Sequence, residues 1–321
     1  MRALFTMAVA AGAVIAFGSA SAQPYPSKPI RFLVPFTAGS GTDIIARTVG
    51  EAMARSMGQS IIVENRPGAG GTIAAGQVAK ADADGYTVLI HSSGHALNPV
   101  LYPNLPYDTL KDLTGVTSLA ALPNVMVVSP TRGWSSVADV IAAAKARPGQ
   151  LNYGSAGNGS ATHMNAEKFK LQAGIDALHI PFKGTPEALN DVIAGRIDWF
   201  FAPLSSALPQ IQAGKLQALA VSTPTRAPTL PQVPTTVEAG VPGSEYTFWV
   251  GMIVSSQTPP PVIRKLHDEA LKALATPEVR ARFTQLGAEP LPMASADFNA
   301  FIRTEIDAAA RIAKAAKLQL Q

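Results

Sequence analysis

The sequence predicts a two-lobed α/β protein, each lobe built on a mostly parallel sheet covered by helices. Three observations carry this. Short apolar runs alternate with amphipathic helical patterns over residues 30–91, the same rhythm restarts beyond residue 122, and small-residue turns join strand to helix in both halves.

Residues 1–22 read as an export signal. Arg2 supplies the positive start, residues 4–17 are apolar and uncharged, and Ala20-Ser21-Ala22 offers the small-x-small cleavage pattern. A retained N-terminal anchor is the alternative, disfavoured because Pro24 and Pro26 follow at once. The expected location is therefore the periplasm, with cleavage after Ala22. The remainder suits two domains of about 100–200 residues each. There is no cysteine among the 321 residues, so disulfides, thiolate metal sites and lipid acylation are excluded. Uncharged stretches at 113–131 and 246–263 contain proline and several hydroxyl or amide residues, which predicts buried strands with turns rather than membrane spans. The net charge is +4 without a dense basic run, which points away from nucleic acid.

Residues 30–34 predict a buried strand, and 43–57 a helix with Ile45, Val49, Met53 and Met57 on one face. Strands follow at 61–64 and 87–91, with a helix at 72–80 between them. In the second half, strands are expected at 124–129, 152–154, 178–182, 197–201 and 216–222. Helices are expected at 137–146, 162–173, 186–194 and 206–213. A proline-rich connection covers 224–242, a strand 246–255, and helices 261–274, 277–286 and 298–318. The expected division is lobe 1 from 23–122 with 228–321, and lobe 2 from 123–227. Ligands of such sheets bind beyond the carboxyl ends of the strands, which directs attention to the cleft between lobes.

Two turns could hold an anion there. Phe36-Thr37-Ala38-Gly39-Ser40-Gly41-Thr42-Asp43 follows a strand and opens a helix, whose first-turn amides attract negative charge. Its spacing matches neither the dinucleotide fingerprint nor a Walker loop. It could equally be a tight turn with Thr42 or Asp43 as helix cap. Ser155-Ala156-Gly157-Asn158-Gly159-Ser160-Ala161-Thr162 repeats the arrangement in the other lobe. Arg66-Pro67-Gly68-Ala69-Gly70-Gly71 is a third such turn, for which close packing is the simpler explanation. His91 and His95 stand four apart and could share a metal on a helix, but Ser92, Ser93 and Gly94 favour a loop and no third ligand is spaced usefully. No Gly-x-Ser-x-Gly elbow and no paired carboxylates mark an enzyme, and no cofactor or metal is expected.

The chain resembles the extracytoplasmic solute receptors of tripartite tricarboxylate transporters, the Bug receptors. The likeness rests on Tyr25-Pro26-Ser27-Lys28-Pro29-Ile30, Val63-Glu64-Asn65-Arg66-Pro67-Gly68-Ala69-Gly70-Gly71, Asp84-Gly85-Tyr86-Thr87, His95-Ala96-Leu97-Asn98-Pro99 and Leu105-Pro106-Tyr107-Asp108. It continues through Pro148-Gly149-Gln150-Leu151-Asn152-Tyr153, Pro181-Phe182-Lys183-Gly184 and Ala213-Gly214-Lys215-Leu216. The resemblance implies a type II periplasmic-binding fold with two crossover strands, a monomer, and a ligand carboxylate held between the two glycine-rich loops. It implies contacts from Phe36, Ala38, Gly39, Ser40, Gly41, Thr42 and Asp43, facing Ser155, Ala156, Gly157, Asn158, Ser160 and Thr162. His91, Ser92, Ser93, His95, Phe182, Lys183, Phe201, Ala202 and Ser205 would complete the pocket. Delivery to membrane permease subunits is implied, with presentation to a sensor-kinase ectodomain as the alternative partner. Phe182 replaces a frequent tyrosine, and Ala202-Pro203 a polar pair. With Trp199, Phe200 and Phe201 upstream, this suggests a ligand with an apolar or aromatic body, unless those rings are lobe core.

Overall fold

A computed structural model describes residues 25–320; the expected export signal at 1–22 lies outside them. In chain order the first lobe contributes β1 (Ile30–Val34), α1 (Gly41–Met57), β2 (Ile61–Asn65), α2 (Thr72–Ala79), β3 (Thr87–Ser92), α3 (Asn98–Leu101) and β4 (Leu113–Leu122). The second contributes β5 (Asn124–Val128), α4 (Val137–Ala146), β6 (Asn152–Ser155), α5 (Ala161–Ala173), β7 (Leu178–Pro181), α6 (Thr185–Ile193), β8 (Trp199–Pro203), α7 (Leu204–Gln212) and β9 (Gln217–Val221). The chain then returns through β10 (Phe248–Ser255), α8 (Pro260–Ala275), α9 (Pro277–Leu286), β11 (Glu289–Pro290) and α10 (Ser295–Ala315).

The strands form two sheets, ordered β11-β4-β10-β3-β1-β2 and β7-β6-β8-β5-β9. The βαβ units are parallel, with β1 between β2 and β3, and β6 between β7 and β8. Strands next to the crossovers break that pattern: β10 runs antiparallel to β3 and β4, and β5 antiparallel to β8 and β9. A chain that enters and leaves each sheet at a crossover must reverse direction there, which periodicity alone does not reveal.

Alternation along each strand divides the cores. In the first sheet, Ile30, Phe32 and Val34 join the α1 stripe Ile45, Val49 and Met53 beneath α8 and α9, while Leu33 packs on the opposite face with Val78, Trp249 and Phe298. Each of the three α1 side chains is fully buried and contributes about 1.5–3 kcal/mol. Gly58, in the left-handed conformation at φ 65°, ends α1. In the second sheet Phe200 and Ala202 face α6 and α7, whereas Trp199 and Phe201 face α4 and α5.

The two crossovers lie side by side. Pro123 separates β4 from β5, Ser222 donates its amide to Asn124 O at 2.9 Å, and Tyr246 donates to Ser222 O at 2.8 Å. The expected boundary near Pro228 differs from this packing. Leu230, Val233 and Val241 sit in the cores of the second sheet, and Thr235 bridges Val221, so the proline-rich connection lies on the second lobe before the chain crosses back. Among the described residues no helix is long and apolar enough to cross a membrane; the two uncharged stretches are largely β4, β5 and β10.

Candidate functional site

The turn after β1 delivers Ser40 to the N-cap position of α1, with extended dihedrals of φ −68° and ψ 154°. Its hydroxyl does not cap the helix. Instead it accepts the amide hydrogen of Thr185, at the start of α6 in the other lobe, at 3.1 Å. The first turn of α1 thus lacks a side-chain cap, and its amides and helix dipole present partial positive charge. Asp43 organises this turn rather than facing a ligand: its carboxylate accepts from Gly39 N at 2.9 Å, Asn65 Nδ2 at 2.8 Å and Arg47 Nε at 3.0 Å.

Above the α1 terminus the lobes close on a small cavity of about 10 Å³, room for about one water molecule. Phe36, Ser40, Gly41, Thr42, Ser92 and Phe248 line it from the first lobe. Ala156, Ser160, Ala161, Thr162, Thr185 and Pro203 line it from the second. None of these side chains is charged. The hydroxyls of Thr42 and Ser92 are buried without a hydrogen-bond partner, as is that of Ser205, which stands 3.2 Å from where a Cβ on Gly41 would be. Buried hydroxyls normally find partners, so this cluster is suited to a polar ligand group.

The second glycine-rich loop differs from the expectation of open amides. Ala156 N donates to Thr162 Oγ1 at 2.9 Å, Gly157 N to Ser155 Oγ at 3.0 Å, and Gly159 N to His163 Nδ1 at 3.3 Å. Ser160 caps α5, accepting from His163 N. The loop's amides stabilise its own shape, and it offers the cavity Ala156, Ala161 and the hydroxyls of Ser160 and Thr162.

His91 and His95 lie in the first lobe with ring centroids 5.5 Å apart. His91 Nδ1 accepts the amide hydrogen of Ser92 at 2.8 Å, which leaves the proton on Nε2, an atom without a partner. Burial, with His95 nearby, pushes its pKa well below the usual range, and burial lowers His95 to about 4. Both rings are neutral near pH 7. No group of three or more His, Cys, Asp or Glu among the described residues could hold a metal.

Several expected pocket residues sit elsewhere. Phe201 is fully buried against Phe169 and Trp199, and Ala202 in the opposite core, because strand alternation turns both into the lobe interior. The three aromatics of β8 are therefore core, and Phe36, Phe248 and Pro203 supply the apolar wall. Phe182 and Lys183 line an outer opening of about 740 Å³ with Gly157, Asn158, Gly70 and Tyr102. Ala38 and Gly39 are on the exposed rim. Ser93 turns its hydroxyl to Tyr246, 3.1 Å away on the second crossover.

The sequence reading missed the groups that join the lobes. Thr37 Oγ1 donates to Glu187 Oε2 at 2.9 Å, Ser206 Oγ to Gly39 O at 2.9 Å, and Tyr102 OH to Asn158 O at 3.0 Å. The third glycine turn also belongs to the cleft: Gly70, at φ 60°, lies against the Asn158 carbonyl, where a Cβ would collide. Thr185 followed by Pro186 marks a helix start, a signal that could have located Thr185 at the cleft.

Two α/β lobes joined by paired crossovers and closed over an uncharged cavity at a helix N-terminus define a cleft-type solute-binding protein. The chain belongs to the tripartite tricarboxylate transporter family receptors, which it matches over residues 45–318. It is similar to the periplasmic binding protein BugD, at 33% identity and a TM-score of 0.89, covering 92% of this chain and 100% of that one. A protein of R. palustris, Rpa4515, solved with adipate, is 35% identical with a TM-score of 0.88, over 91% and 98% of the two chains. MatC of Rhodopseudomonas palustris, solved with bound malate, is 31% identical with a TM-score of 0.85, over 90% and 99%.

Proposed function

We propose that this protein captures a small aliphatic carboxylate between its lobes in the periplasm and delivers it to the permease subunits of a tripartite transporter, without chemical turnover. The observation that carries this reading is the uncapped N-terminus of α1 beside the unpartnered buried hydroxyls of Thr42, Ser92 and Ser205. Helix amides and hydroxyl donors suit a carboxylate, and a site without a cation binds it without a strong charge pair that would oppose release. Phe36, Phe248 and Pro203 offer an apolar wall to a short hydrocarbon body, which the lobes must part to admit. The aromatic ligand suggested by Phe201 loses its footing, and the adipate and malate of the relatives support a compact acid.

The test is a thermal-shift and calorimetric screen of purified protein, unfolded and refolded to remove carried ligand, against mono-, di- and tricarboxylic acids. Saturable stabilisation by one class is expected. A refolded protein that no acid stabilises would overturn the reading.

A further inference from the structure

We propose that His163 and His179 are positioning residues, a stacked pair of neutral acceptors that holds the second glycine-rich loop in its binding shape; their effect on affinity rests on the carboxylate reading above. The rings lie on α5 and β7, with centroids 4.0 Å apart and planes within 10°. Tyr153 stacks on His179 at 5.0 Å. His179 Nε2 is 2.6 Å from Ser155 Oγ, which also accepts the Gly157 amide hydrogen at 3.0 Å. Placing the Ser155 hydroxyl proton on this bond gives it an acceptor, and in that arrangement His179 Nε2 accepts while the ring carries its own proton on Nδ1. His163 Nδ1 accepts from Gly159 N at 3.3 Å, so its proton is on Nε2.

The two rings thus fix alternate amides of one loop, one directly and one through Ser155. Gly157 and Gly159, at φ 117° and 74°, have no side chains that could fix the loop instead. The same loop places Ala156 on the cavity and the Asn158 carbonyl under Tyr102 OH. The surrounding polar groups are Tyr153 from β6, Glu167 and Lys170 from α5, and Trp199 from β8. Tyr153 OH donates to Glu167, which also pairs with Lys170 at 2.8 Å. Protonating His163 would turn its acceptor into a donor aimed at the Gly159 N–H, which the loop would have to release. Protonating His179 would reverse its bond with Ser155 and force the hydroxyl proton to turn away.

Geometry also dictates which replacements keep the function. Glutamine reaches with its carbonyl oxygen to about where Nε2 stands, and asparagine to about where Nδ1 stands. Adipate and malate binding, measured by calorimetry at pH 7.5, is expected to weaken tenfold or more in His179→Leu and His163→Leu. His179→Gln and His163→Asn should stay within about threefold of the parent. Nitrogen-15 spectra of the parent should show His179 protonated on Nδ1 and His163 on Nε2, with slow amide exchange at Gly157 and Gly159. The opposite tautomers, fast exchange at both glycines, or leucine variants that bind as tightly as the parent would overturn the assignment. If the parent binds neither acid, the carboxylate reading suffers, while the tautomers and amide exchange still decide the role of the rings.

Discussion

Ser40 stands at the N-cap of α1 yet accepts the backbone amide hydrogen of Thr185, at 3.1 Å, from the opposite lobe. The hydroxyl that would stabilise the helix is used to hold the cleft shut. Ser40→Ala should therefore leave unliganded stability nearly unchanged, where loss of a working cap would cost about 0.5–2 kcal/mol. Ligand affinity should fall by about 1 kcal/mol, roughly fivefold, because the lost bond belongs to the closed form. Calorimetry with denaturant unfolding checks both. A destabilised helix with unchanged affinity would contradict the assignment.

Gly41 faces the second lobe so closely that a Cβ would lie 2.7 Å from Pro203 Cβ. Its backbone is helical, so alanine fits the first lobe without strain and clashes only on closure. Gly41→Ala is expected to weaken binding at least tenfold while melting like the parent. Its scattering profile should also stay more expanded on addition of acid. Binding at parental affinity would show that closure does not bring Pro203 against α1.

Much of the architecture was legible because apolar runs and glycine turns mark strand-to-helix junctions locally. The boundaries of β1, α4 and α9 were read as they stand, and Phe36, Ser40, Gly41, Thr42, Ser160 and Thr162 do come together. The rest depended on contacts between distant segments. Whether Phe201 faces the cleft or the core depends on strand phase relative to two helix layers, and one aromatic run gives no phase. Gly70 and Thr185 acquire their roles only when the lobes meet. The second loop looked like an open anion nest because the acceptors of two of its amides, Ser155 with His179 behind it and His163, were not visible as partners.

Asp43 was expected at the ligand but secures the loop that precedes it. Asp43→Ala leaves Gly39 N without its acceptor and removes one of two partners from Asn65 Nδ2, which keeps Phe36 O, and from Arg47, which keeps Asn65 Oδ1. Loss of about 1–3 kcal/mol of unfolding free energy is expected, read from urea denaturation. Affinity should fall as well, because Gly39 O receives the closing bond from Ser206. Unchanged stability would show that the turn does not depend on this carboxylate.

Acid should destabilise the protein in two successive windows. Burial lowers His163 and His95 to about 4; burial, with His163 beside it, lowers His179 to about 3. The unfolded chain, with histidines near 6.5, binds more protons than the folded one below that pH. This stability is fully present above about pH 6.5 and is lost as pH falls toward 4 and below. Glu64 is held at about 2 chiefly by Arg31, with Arg66 adding. Glu269 is at about 2 although burial pushes it upward, because Lys272, Ser56 and Lys265 bind its carboxylate. Their contribution is present above about pH 4.5 and disappears between there and 2. Urea midpoints should therefore already decline between pH 7 and 5, before the carboxylates titrate. Combining His163→Asn with His179→Gln should remove part of that early decline and leave the lower one in place. A midpoint constant from pH 7 to 5 in the parent would show that the buried rings do not resist protonation.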